Sequence, residues 1–271
     1  MDVVAAVVDL ARELGVVVEE PAPLRSTNNQ VIWLRPSAVV AKISAGNGRA
    51  AGELAVAGVL ANAGAPVVPP AEGIGHQLYR VGDRDVTFWQ YESQDIITEP
   101  SPEDIARALG ALHDALATLG AKAPSRTYEE QISDAIRALD RAAFAPELQS
   151  DDRRLLRHTL SDGMVNLART SDTSRIIHGS PHRFNIVVVA GSPRFIDFET
   201  VQRGPLEWDL AHLEPEVAAH YPGMLNLDAL ALCRTLVSAA TSTWCWDGLH
   251  RGPDMRKHAQ HHLAAVRSAL S

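Results

Sequence analysis

Ile177-His178-Gly179-Ser180-Pro181-His182-Arg183-Phe184-Asn185, followed by Phe195-Ile196-Asp197-Phe198-Glu199, is the stretch on which the reading of this chain turns. Residues 185–189 make a continuous Ile/Val run after Asn185, and residues 194–198 make a second apolar run that contains Asp197. Both are short and β-prone. A tight hairpin between them would carry Asn185 and Asp197 to one edge. Amide and carboxylate oxygens are the donors a hard divalent cation prefers. Asn185 and Asp197 are therefore candidate ligands of one shared metal.

Outward from this stretch the periodicity changes on both sides. Residues 207–271 are helical in pattern, broken near Pro222-Gly223 and at 247–253. Upstream, 128–143 and 151–170 carry two helical patterns. A third helix over 104–119 starts at Ser101-Pro102-Glu103-Asp104, with a Ser cap, Pro in the first turn and acidic residues facing the helix dipole. Before about residue 92 the chain is strand-rich. Gln30-Val31-Ile32-Trp33-Leu34 and Ala38-Val39-Val40-Ala41-Lys42-Ile43 read as a hairpin about Arg35-Pro36-Ser37. An Ala-rich helix follows over 49–63, then a strand pair at 76–81 and 86–91 about Gly82-Asp83. An amphipathic helix opens the chain and ends before a break at Glu20-Pro21-Ala22-Pro23. The expected class is α+β, in two parts: a strand-rich 1–92 and a helical 93–271 with a short β insertion.

A phosphoryl-transfer site needs bound metal, a cationic group on the nucleotide phosphates, and a group that orients the attacking hydroxyl. The order and spacing of His-Gly-x, Asn and Ile-Asp-Phe-x-Glu resemble the catalytic loop and metal motif of the aminoglycoside phosphotransferase and choline-kinase-like family. Gly204-Pro205-Leu206-Glu207-Trp208-Asp209-Leu210-Ala211 resembles the stretch that follows in many members. The likeness covers roughly residues 24–212. It implies the two-lobed protein kinase-like fold, with 1–92 as the nucleotide-binding lobe and 93–271 holding catalytic loop and acceptor pocket. It also implies ATP and Mg2+ as cofactors and a small molecule with a hydroxyl group as acceptor. Carried over residue by residue, Lys42 contacts phosphate and Glu53, eleven residues on, is its ion-pair partner. Phe88-Trp89-Gln90-Tyr91 is the hinge strand, with Gln90 and Tyr91 at the base. Asn185 and Asp197 hold the metal. Ser26-Thr27-Asn28-Asn29-Gln30 stands where the nucleotide-covering loop belongs, although it has no glycine, and Leu112-His113 matches an early helix of the larger lobe.

Ser180 departs from the pattern, since the family has aspartate there. A serine hydroxyl can orient the acceptor but cannot serve as a base near neutral pH, and general-base help is worth about 10²–10⁴-fold. A slow enzyme is expected, with positioning and charge stabilisation retained. His182, with its near-neutral reference pKa, is the first candidate to replace the base, and Glu199 the second. The alternative is a pseudokinase-like protein that binds nucleotide or a metabolite without transfer.

Composition sets the outer bounds. The 271 residues are 46% hydrophobic and 21% charged, an ordinary globular balance. A net charge of −8 argues against nucleic acid as partner. No stretch of about 18 apolar residues is present, so no membrane partner is expected. Asp2, Asp9, Arg12 and Glu13 make the N-terminus unlike a signal peptide. Cys233 and Cys245 form neither a disulfide framework nor a zinc pattern, which fits a cytoplasmic protein. His258, His261 and His262 lie together on a helix but lack an acidic or cysteine ligand, and read as a polar face. Trp244, Trp246 and His250 could wall an acceptor pocket or pack in the core.

Overall fold

The computed structural model describes all residues except 1, 27, 28, 94–98, 121, 122, 142, 143, 172–174, 253 and 271. In chain order the elements are α1 (Val3–Glu13), β1 (Val18–Ser26), β2 (Gln30–Pro36), β3 (Val39–Ala45), α2 (Arg49–Asn62), β4 (Tyr79–Val81) and β5 (Arg84–Gln90). There follow α3 (Pro102–Ala117), α4 (Tyr128–Asp140), α5 (Ser150–Thr170), β6 (Arg175–Ile177), β7 (Ile186–Val189) and β8 (Ser192–Phe195). The chain closes with β9 (Gln202–Gly204), α6 (Leu206–Leu210), α7 (Pro215–His220), α8 (Leu227–Asp247) and α9 (Asp254–Ala269). An N-terminal antiparallel sheet and a helical C-terminal part make a mixed α/β fold of the kind expected.

Two compact units divide these elements. The first comprises residues 1–123 together with 182–201, and the second 124–181 with 202–271. In the first, a five-stranded sheet runs in the order β1-β2-β3-β5-β4, antiparallel throughout. Its pleat sorts the side chains. Ile32, Leu34, Ala41, Ile43, Val86 and Phe88 face one way and pack with Val7, Val8 and Ala11 of α1 into one core. Val40, Lys42 and Trp89 face the other way and line a cavity. Register pairs Lys42 with Val31 on one side and Thr87 on the other.

β1 corrects the sequence reading. The Pro21 and Pro23 segment, expected as a break, is part of a nine-residue strand. β1 is an edge strand, so prolines that cannot donate to a ladder are tolerated there. β7 and β8 pair Ile186 with Phe195 and Val189 with Ser192, leaving Ala190-Gly191 as a two-residue turn. Both turn residues have positive φ, 47° and 74°, as a turn matched to right-handed strand twist requires.

In the second unit, α4, α5, α8 and α9 bury Ile132, Leu139, Leu156, Leu160, Leu236 and Leu263 among one another. Trp208 of α6 and Tyr128 of α4 are both fully buried in this core. β6 pairs with β9, a strand the sequence reading left inside a connection. Among the described residues, no helix is long and apolar enough to cross a membrane.

Candidate active site

Lys42 is central to β3, and its ammonium is surrounded by acid. Nζ lies 2.9 Å from both Glu53 oxygens, 2.9 Å from Asp197 Oδ1 and 2.8 Å from Glu199 Oε1. Glu53 projects from α2, whose other buried residues Ala50, Leu54, Val56, Ala57 and Leu60 hold the helix against its surroundings. The Glu53 side chain is 1% exposed and that of Lys42 10%. Burial by itself would lower the pKa of Lys42. The carboxylates of Glu53, Asp197 and Glu199 outweigh it and raise the ammonium above its ordinary value. Burial pushes the Glu53 carboxyl up to about 7, against the pull of Lys42 and with Asp197 and Glu199 adding like charge. One ammonium among three carboxyls leaves the cluster net negative whenever all three are ionised.

The Asp197 turn departs from the sequence reading. β8 ends at Phe195, and the strand expected through Phe198 does not persist. Asp197 instead adopts a left-handed backbone, φ 70° and ψ 68°, before a 3-10 turn over Phe198–Thr200. A non-glycine residue there is uncommon, and strain of this kind concentrates at functional positions. The turn brings Glu199 round to Lys42. Among the described residues, Glu53, Asp197 and Glu199 alone offer three metal-type ligand atoms within 4.8 Å of one another. Asn185 closes a 3-10 turn just before β7, and its carbonyl accepts the Ile196 N–H at 3.0 Å. Asn185 and Asp197 thus stand at the same end of the hairpin and line the same cavity. His182 caps that 3-10 turn, with Nε2 3.4 Å from Asn185 Nδ2.

The cavity measures about 420 Å³, the size of a small-ligand site. Val31, Val40, Val68, Trp89, Ile186 and Ile196 give it apolar walls, and Lys42, Asn185 and Asp197 its polar end. Gln90 and Tyr91 line it as well. The Gln90 N–H already donates to the Pro69 carbonyl at 3.0 Å and the Tyr91 N–H to Ala38 at 2.9 Å. The Tyr91 ring lies flat on Trp33, with centroids 3.8 Å apart. Of the loop matched to a nucleotide cover, Thr27 and Asn28 lie outside the described residues. Asn29 lines the cavity and donates to Glu199 Oε1 at 3.1 Å. Sequence reasoning gave Asn29 no role of its own.

The second unit holds the His178-Gly179-Ser180 segment. The Asp209 carboxylate accepts the His178 N–H at 2.8 Å and the Gly179 N–H at 2.7 Å. Gly179 has φ 88°, a conformation that glycine takes freely. The Trp208 indole donates to the Gly179 carbonyl at 3.1 Å, and the Ser180 N–H points to His178 Nδ1 at 3.4 Å. Asp209 is therefore a buried clamp on this loop. Trp246 packs in the helical core at 5% exposure, and Trp244 packs partly against the same core. His250 is exposed. Burial, then the imidazoles of His261 and His258, pull His262 down to about 4, which keeps it neutral at pH 7. Cys233 is buried, and burial raises its thiol pKa, so it is no nucleophile.

A strand-borne lysine paired to a helical glutamate, beside an Asn and Asp hairpin, on this sheet order, defines a protein kinase-like fold. Solved structures carry the same fold. The chain matches a GDP complex of aminoglycoside 2'-phosphotransferase-IIIa at 16% identity and TM-score 0.71, over 100% of both chains. It matches the choline kinase LicA of Streptococcus pneumoniae at 15% identity and TM-score 0.72, over 98% of both. Amicoumacin kinase hAmiN, in complex with AMP-PNP, Ca2+ and Ami, aligns at 13% identity and TM-score 0.73, over 99% of this chain and 96% of that one. No curated protein sequence matches. The profile of the phosphotransferase enzyme family matches residues 21–218, and the chain belongs to that family.

Proposed function

We propose that the protein is an ATP- and Mg2+-dependent phosphotransferase that acts on a hydroxyl group of a small molecule. In this reading residues 1–92 bind nucleotide, and 93–271 supply the catalytic loop and the acceptor pocket. The observation that carries it is the Lys42 ammonium, fixed by Glu53, Asp197 and Glu199 at the polar end of the cavity. The apolar walls suit a base, with Gln90 and Tyr91 beside it, and the polar end suits phosphates.

The donor set fits a divalent cation. Asn185 and Asp197 offer oxygens at one end of a hairpin, next to a cluster with surplus negative charge. Magnesium bound there would offset the charge of the phosphate oxygens. Lys42 would meet the phosphates, with Glu53 holding the ammonium in place from α2. In the transfer, the acceptor oxygen bonds to the terminal phosphorus as the bond from that phosphorus to the leaving nucleoside diphosphate oxygen breaks. The hydroxyl proton goes to a base. We assign that base to His182, with Ser180 orienting the hydroxyl.

Ser180 also supports a second reading, a nucleotide-binding protein without transfer. Calorimetric titration of ATP and ADP, with and without Mg2+, tests both. Saturable binding that tightens with Mg2+ is expected, and absence of binding at millimolar nucleotide would overturn the nucleotide site. Among hydroxyl acceptors screened for phosphate transfer, Ser180→Asp should raise the rate by about 10²-fold. Binding without transfer in both proteins would favour the second reading.

A further inference from the structure

Three carboxylates hold the Lys42 ammonium, and each is itself held by something different. Glu53 is immobilised by burial within the face of α2, at 1% side-chain exposure. Asp197 is set by the left-handed backbone of its turn. Glu199 sits on the short 3-10 turn that follows, its side chain 17% exposed against 34% for Asp197. Its orientation is set by Asn29, whose Nδ2–H donates to Oε1 at 3.1 Å from 170 residues away in sequence. Lys42 meets that same oxygen at 2.8 Å. Two donors thus converge on one carboxylate oxygen.

A lysine side chain has a flexible four-carbon stem, so its ammonium rests where its partners hold it. Glu199 is one of those partners, and Asn29 anchors it. The chemistry of the anchor is specific. A neutral amide adds a hydrogen bond to a charged acceptor, the stronger kind, without adding charge to three crowded carboxyls. Aspartate at this position would add a fourth. Asn29 also lines the cavity beside Lys42 and Asp197, so what it holds is the polar end of that cavity.

We propose that Asn29 is a positioning residue for nucleotide phosphates: through Glu199 it helps to fix the Lys42 ammonium, and it ties the chain just before β2 to the Asp197 turn. This rests on the nucleotide-binding reading above. The role is confined to the phosphate end, which separates it from a general contribution to folding.

The experiment is calorimetric titration of Mg-ATP and, separately, of adenosine into wild type, Asn29→Ala, Asn29→Asp, Glu199→Ala and the Asn29→Ala/Glu199→Ala double variant. Asn29→Ala should weaken Mg-ATP binding roughly tenfold, the scale of one hydrogen bond to a charged group. Asn29→Asp should weaken it further. Adenosine, which has no phosphates, should bind all five proteins alike. In the Glu199→Ala background, removal of the Asn29 amide should change Mg-ATP affinity by less than about threefold, because its partner is already gone. Unchanged Mg-ATP affinity in Asn29→Ala, or an equal loss for adenosine, would overturn the proposal. Failure of the wild type to bind Mg-ATP would overturn the nucleotide reading itself, and wild type alone shows it.

Discussion

Two buried polar centres organise this protein, and they solve the same problem in opposite ways. Around Lys42, side-chain charges answer one another, and the acids outnumber the base. Around Asp209, a single fully buried carboxylate is answered by backbone N–H groups that cannot move away. The first centre has surplus charge and partly exposed members, as the proposed Mg-nucleotide site would need. The second is closed on itself. A buried charge that is fully satisfied locally holds a loop in shape, and one left in excess marks a place for a ligand.

The contrast can be broken by removing one member of each centre. Asp209→Ala should give the largest loss, about 4 kcal/mol by urea unfolding, because two buried N–H groups lose their acceptor and a hole remains. Neither Mg2+ nor mild acid should restore it. Lys42→Met should cost somewhat less at pH 7, about 3 kcal/mol, because the buried Glu53 carboxyl loses its cation and must take up a proton. That loss should be recoverable. Burial holds the Glu53 carboxyl of the folded protein above its ordinary 4.5, up to about 7. Between those values the folded state binds a proton that the unfolded chain has released, so this group's contribution falls as pH rises. Without the ammonium the carboxyl moves higher still. The variant should therefore gain on wild type as the pH is lowered from 7 to 5, and Mg2+ should raise its melting temperature. Equal recovery of both variants, or of neither, would erase the distinction between the centres.

His262 supplies the smallest and sharpest version of the test, a half-buried ionisable group kept neutral. Its folded pKa is about 4 against an ordinary 6.5. Across that window the unfolded chain takes up a proton that the folded chain refuses, so stability falls as pH drops from 6.5 to 4. His262→Gln should make the acid arm of the stability profile shallower, read as a smaller shift of the urea midpoint between pH 6.5 and 4. An unchanged slope would show that the ring is solvated in the folded state.

How far the site was legible follows from how locally each feature is encoded. Asn185 and Asp197 could be paired from the sequence because a two-strand hairpin with Ile/Val runs has one sensible register. Lys42 and Glu53 needed a strand and the next helix, both strongly patterned. Glu199 reaches Lys42 beside Asp197 through a left-handed residue and a 3-10 turn, and sequence periodicity does not announce such a turn. β1 was hidden by its prolines, which an edge strand tolerates and a central strand does not. Asn29 was out of reach for a different reason. Its partner is 170 residues away, and a single polar residue carries no pattern.

The aromatic residues have a practical consequence of their own. The chain has five tryptophans. Trp89 lines the cavity, and Trp33 stacks on Tyr91, which lines it too. Trp208, Trp244 and Trp246 belong to the helical core of the other unit. Intrinsic fluorescence is thereby divided into two channels, one that senses occupancy and one that senses melting. With Trp33 and Trp89 replaced by phenylalanine in turn, each emission could be assigned, and ligand screening could proceed without any label.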